Sequence, residues 1–142
     1  MAERATHEHP VWLEIAPELR PAEFRYPWDM SPAFLRRLHR ARRLAGVPFR
    51  IVSDHRPPER NDAAGGASQS AHMEAPCCAV DLRVLNNHER YQVLRALFAV
   101  GFERIGIYKP TPWQIQQYGK GSGSIHVDDS PTNPRPRVWM DW

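Results

Sequence analysis

Two short segments, AVDLRV (79–84) and SIHVD (124–128), constrain this chain more than any other feature. Both alternate strictly. In the first, Val80, Leu82 and Val84 face one way, and Ala79, Asp81 and Arg83 the other. In the second, Ile125 and Val127 oppose His126 and Asp128. A period of two is the pattern of a half-buried strand. Each segment therefore reads as a strand with an apolar side to bury and an opposite side that carries ionisable groups.

The remaining elements follow from local signals. SPAFLRRLHRARRLAGVP reads as a helix, with Ser31 as N-cap, Pro32 at the first position and Gly46 as the stop. Its apolar stripe is Phe34, Leu35, Leu38, Ala41 and Ala45. NNHERYQVLRALFAVG reads as a second helix, capped by Asn86 or Asn87, striped by Tyr91, Leu94, Leu97 and Phe98, and closed by Gly101. FRIVS (49–53) and FERIGIY (102–108) read as strands. Pro and Gly content makes 54–66 a loop, and KPTPWQIQQYGKGSG reads as irregular. Residues 1–29 read as an extended arm that packs Trp12, Phe24, Tyr26 and Trp28 on the core, with His7 and His9 in a mobile end. The Pro-rich last residues promise little regular structure. The irregular connections do not fit a repeating βαβ pattern. The expected fold is α+β, a small and mainly antiparallel sheet flanked by helices, in one domain over 1–142.

With 142 residues and 42% hydrophobic residues, the chain can bury a core and is not disordered as a whole. Net charge is +3, and two of the 19 basic residues, Lys109 and Lys120, are lysine. Such a charge reads first as a solvated basic surface from an arginine-favouring genome, and second as attraction to a polyanion, either nucleic acid or an anionic cell wall. No apolar run approaches the ~18 residues of a membrane helix, and MAERATHEHP lacks the apolar stretch of a secretory signal. The expectation is a protein made in the cytoplasm without membrane insertion.

The chemistry concentrates in SQSAHMEAPCCAVDLRV (68–84). His72 ends a Gly-rich loop, Asp81 lies on the strand behind it, and His126 lies far off in sequence. Two histidines and a carboxylate make a zinc set with a fourth position open for water. Asp128 lies about 6.6 Å along the strand from His126, near enough to orient a ligand histidine or to act as general base. Cys77 and Cys78 offer competing readings, a Cys-ligated zinc or a nucleophilic thiol paired with a histidine. Adjacent cysteines rarely bind one zinc together, and their other role is small apolar filler. At this level Arg56 reads as a surface arginine.

The order of motifs resembles a known family. It runs S53-D-H-R56-P, Asn61, Gly65-Gly66, Ser70-A-His72, Ala79-V-Asp81, G101-F-E-R-I-G-I-Y108, I125-H-V-D128 and Arg137-V-Trp139. This is similar to the zinc D,D-/L,D-peptidases of the hedgehog/D-Ala-D-Ala-peptidase fold, especially their small phage and bacterial murein-endopeptidase branch. The resemblance covers about two thirds of the chain.

It implies one Zn2+ on His72, Asp81 and His126, and a substrate drawn from peptidoglycan stem or cross-link peptides. It implies that Arg56 holds a substrate carboxylate or the oxyanion, and that Ser70 is a site-wall residue contacting substrate or the ligand loop. The implied protein is a monomer with no nucleic-acid partner, acting at the bacterial cell wall. Two departures stand out. Four residues, MEAP, follow His72 where the family has two, with Cys77 in the place of a glycine. Gly123 occupies the position, three before the last histidine, where many relatives carry an acid. Asp128 is then the expected general base, with Glu74 as the second choice. The rival readings are a zinc-stabilised binding module that has lost catalysis, and a basic nucleic-acid-binding protein.

Overall fold

The computed structural model describes residues 2–56 and 70–141. Asn61, Gly65, Gly66 and most of the loop expected over 54–66 lie outside the described residues.

Five strands form one sheet: β1 (Arg50–Ser53), β2 (Ala79–Val84), β3 (Arg104–Tyr108), β4 (Gly123–Asp128) and β5 (Arg137–Asp141). Their order is β1-β2-β4-β3-β5. Three pairings are antiparallel and β3 pairs with β5 in parallel, so the sheet is mixed. The expectation of a mainly antiparallel sheet missed the parallel edge because the Pro-rich tail concealed β5. Residues 129–136 leave the end of β4, pass the start of β3 and enter the far edge beside it. That path makes β5 run with β3: Arg137 pairs with Arg104, and its N–H donates to the Glu103 carbonyl (2.7 Å).

The register sorts the side chains into rows. Asp81, His126, Gly106 and Trp139 form one row across β2, β4, β3 and β5. Arg83, Ser124, Tyr108 and Asp141 form the next, and Ala79, Asp128, Arg104 and Arg137 flank the other side. The opposite face carries Val80, Leu82, Val84, Ile105, Ile125 and Val127, all buried.

Helices α2 (Pro32–Ala45) and α3 (Asn87–Ala99) pack together, and their apolar sides share one core with that back face. The Ser31 hydroxyl accepts from the Phe34 N–H (3.3 Å), Gly46 takes the left-handed conformation (φ 68°), and the whole expected stripe of α2 is buried. Asn86 caps α3 through the Glu89 N–H (2.9 Å). The stripe of α3 differs from expectation. Val93, Ala96 and Leu97 are buried, whereas Tyr91 and Phe98 are 62% and 51% exposed. Seven residues apart, those two share a side just off the core-facing line.

Two further segments are more regular than their composition suggests. Pro112–Tyr118 is a helix, α4, where an irregular stretch was expected. Thr111 and Gln114 form a reciprocal capping box (3.2 and 2.8 Å), a signal present in TPWQ that the surrounding Pro and Gly obscured. The N-terminal arm is folded, not extended. It holds helix α1 (Val11–Glu14) and two 3-10 turns, with Trp12 and Phe24 buried edge-to-face at 5.7 Å and Trp28 39% exposed. His9 lies within this structure: its Nδ1 accepts from the Val11 N–H (3.0 Å).

Candidate metal centre

The front row brings together residues from three sources. Asp81 comes from β2 and His126 from β4, paired directly across the ladder. His72 comes from a 3-10 turn, Ala71–Met73, that leads into β2. The Ser70 hydroxyl caps that turn by accepting from the His72 N–H (3.2 Å). The longer segment after His72 is stitched to the arm. Cys77 N–H donates to the Asp29 carbonyl (2.7 Å), and Ser31 N–H donates to the Cys77 carbonyl (2.9 Å). The extra residues therefore form an anchored bulge, and His72 still reaches Asp81.

The donor atoms of His72, Asp81 and His126 lie within 4.8 Å of one another. His72 Nε2 is 3.3 Å and His126 Nδ1 is 2.9 Å from the same oxygen of Asp81. Zinc bonds of about 2.0–2.1 Å at tetrahedral angles would place ligand atoms about 3.3 Å apart. The three donors fit such an ion by number, type and spacing.

The outer nitrogens of both rings are engaged. His72 Nδ1 lies 2.6 Å from the Asp54 carbonyl, which accepts its proton and turns Nε2 toward Asp81. The Asp54 carboxylate in turn accepts from the Arg25 and Tyr26 N–H groups (3.2 and 2.7 Å). The arm thereby fixes the strand end that fixes His72. His126 Nε2 lies 2.6 Å from Asp128. The other oxygen of Asp128 accepts from Arg104 Nε and the Ser130 N–H (both 2.8 Å), and the residue is 1% exposed.

Charge follows this geometry. Burial alone would raise the Asp81 carboxyl, but hydrogen bonds from His126 and His72 outweigh it and hold the group far below the carboxylate range. Burial would lower His126, yet its bonds to Asp128 and Asp81 raise it to about 9. Asp128 is held down despite burial by His126 above all. Burial pushes Cys77 far up and Cys78 to about 11, so neither thiol is ionised near neutrality.

A cleft of about 930 Å³ opens over the row and is lined by Arg56, Ser70, His72, Asp81, His126 and Asp128 among others. All the expected site residues except Glu74 lie along it. Glu74 turns instead to the Ser130 and Thr132 hydroxyls (2.6 and 2.8 Å), which donate to it. Arg56 Nε is buried without a hydrogen-bond partner among the described residues. Gly123 has no room for an acid: a Cβ there would lie 2.5 Å from the Tyr108 carbonyl oxygen.

A model of the family described as peptidase M15 matches residues 18–114. The chain belongs to the peptidase M15 family. No curated protein and no solved structure matches it. The M15 match spans Arg56, Ser70, His72 and Asp81, while His126 and Asp128 lie beyond it. M15 metallopeptidases are typically zinc-dependent, in keeping with the His72, Asp81 and His126 cluster.

Sequence reasoning on this M15 chain included Asp54, Arg104, Tyr108 and Trp139 in the family motifs but gave them no role in the site. Asp54 lies within the S53-D-H-R56-P motif, but its work is done through a backbone carbonyl that no pattern reveals. Arg104 and Tyr108 lie at the two ends of RIGIY, on the side opposite Ile105 and Ile107, and that alternation was the available signal. Trp139 is part of Arg137-V-Trp139, but in a tail read as irregular, so its place beside His126 was not evident.

Proposed function

We propose that this protein is a zinc peptidase that hydrolyses peptide bonds in peptidoglycan stem or cross-link peptides. One observation carries the reading: two imidazole nitrogens and a carboxylate converge at a cleft wide enough for a peptide. His72 through Nε2, Asp81, and His126 through Nδ1 would hold one zinc ion. When bound, the metal would supply a water whose pKa is lowered to about 7 and a Lewis acid for the carbonyl.

The chain's own groups do the rest. Asp54 and Asp128 hold the two imidazoles in the tautomer and orientation a ligand needs. Arg56 lines the cleft, and its guanidinium is suited to a substrate carboxylate or to charge on the carbonyl oxygen. Ser70 holds the His72 turn and forms part of the substrate wall. The site would act as a monomer at the bacterial cell wall, where a basic surface favours approach to an anionic polymer. Among the described residues, no helix is long and apolar enough to cross a membrane.

A second reading has an observation in its favour. Both acids expected to accept the water's proton are engaged: Asp128 by His126, Arg104 and Ser130, and Glu74 by Ser130 and Thr132. A zinc-stabilised binding module of the same fold would look like this. Amine release from purified peptidoglycan separates the two. Zinc-loaded protein is expected to release new amines, and chelated protein and Asp81→Ala are not. A protein that holds one tight zinc and releases nothing would leave the binding module.

A further inference from the structure

Trp139 sits where the sheet makes room for it. A Cβ at Gly106 would lie 2.6 Å from the indole, so the ring lies over the one position in the metal-site row without a side chain. On one side the indole meets the His126 ring, with centroids 5.5 Å apart. The Arg104 guanidinium lies 5.1 Å over the same ring and helps to hold it. The indole N–H donates to the Tyr108 hydroxyl at 2.7 Å. One indole thus links a ligand histidine to a phenol one row along the sheet. Tyr108 lies on β3 and Arg56 just past β1, on either side of the β2–β4 pair that carries Asp81 and His126, and both line the cleft.

The direction of that hydrogen bond matters. Indole N–H can only donate, so the phenol oxygen accepts and its own proton remains to be given elsewhere. No described residue takes it. A phenol keeps that proton at neutral pH.

We propose that the Tyr108 hydroxyl, held by Trp139, donates a hydrogen bond to the carbonyl oxygen of the scissile bond as that oxygen becomes an anion. This rests on the peptidase reading above. Tyr108 is then a catalytic residue and Trp139 a positioning residue. The expected benefit lies in the transition state, because the donor is already oriented when charge develops.

The test compares zinc-loaded wild type, Tyr108→Phe, Trp139→Phe and the double variant. Rates of amine release are measured across peptidoglycan concentrations, with zinc content from mass spectrometry. Tyr108→Phe is expected to lower kcat about 10²-fold, with half-saturation and zinc content nearly unchanged. Trp139→Phe should lower kcat less, and the double variant should be no worse than Tyr108→Phe alone. A second readout needs no turnover: a phosphinate dipeptide, which mimics the tetrahedral anion, should bind the zinc-loaded Tyr108→Phe protein at least tenfold more weakly. Unchanged kcat and phosphinate affinity in Tyr108→Phe would overturn the inference and leave the peptidase reading standing. A double variant whose losses multiply would also overturn it, because Trp139 would then act independently of Tyr108. A wild type that releases no amine sinks the peptidase reading and this inference together.

Discussion

The two faces of the sheet are built from the same strands and do opposite things. Behind β2 and β4, Val80, Leu82, Ile125 and Val127 are fully buried against the helices. In front, the intervening residues Asp81, His126 and Asp128 form a chain of ionisable groups in which each touches the next. The back face gains stability by leaving water. The front face holds desolvated charge, which is costly unless each group is paired. Here each one is, and the pairing also aims two imidazoles at one point. Because the strand period is two, a one-residue slip would exchange the faces and lose core and site together.

The sharpest way to break this comparison is to change adjacent residues. Asp81→Ala on the front should abolish amine release and tight zinc binding while the protein still folds. Amine release at the wild-type rate would remove Asp81 from the ligand set. Leu82→Ala, one residue on, should do the reverse. It should cost about 2–5 kcal/mol of unfolding free energy in denaturant titrations, with zinc still bound by the folded fraction. A cost below about 1 kcal/mol would mean that the back face is not the core described here.

Asp128→Asn sharpens the division within the front face. As a residue that orients His126, Asp128 should lose about 10–100-fold in zinc affinity on substitution, read by competition with a chromophoric chelator. If activity disappears while zinc affinity stays unchanged, Asp128 accepts the water's proton instead.

The smallest effect is a pH dependence of the metal-stripped protein. His126 is raised from its ordinary 6.5 to about 9, so its charged form is favoured by folding. That contribution is complete below pH 6.5 and is lost as pH rises through about 9. The melting temperature of stripped protein should therefore fall across this interval. Zinc affinity should rise across it, because the metal must displace the same proton. A flat melting profile would show that His126 is not held as a cation between Asp81 and Asp128.

Much of this was legible in local pattern. The alternation in AVDLRV and SIHVD separated the faces, and Ser31, Gly46 and Asn86 marked helix ends because capping is a local interaction. The candidate metal residues could be named chiefly because the motif order resembles a family; histidine and carboxylate are common, and spacing alone left other readings open. Other parts were not legible. Composition hid α4 and β5, since Pro and Gly are read as breakers even where a capping box or an edge pairing overrides them. The outer contacts of the site were hidden for a different reason. His72 is held through the carbonyl of Asp54, itself tied to Arg25 and Tyr26, and none of these links has a fixed spacing.

The sequence by itself determined which residues alternate, where helices begin and end, and which side chains have the chemistry of a metal site. Periodicity and capping are properties of neighbours along the chain, so they survive in one dimension. Only the tertiary structure decided that Asp81 lies opposite His126 and that Gly106 makes room for Trp139. It also decided that Asp128 is bound by Arg104 and that Gly123 has no space for an acid. Those outcomes depend on register between strands distant in sequence and on whether two groups can occupy the same few ångströms.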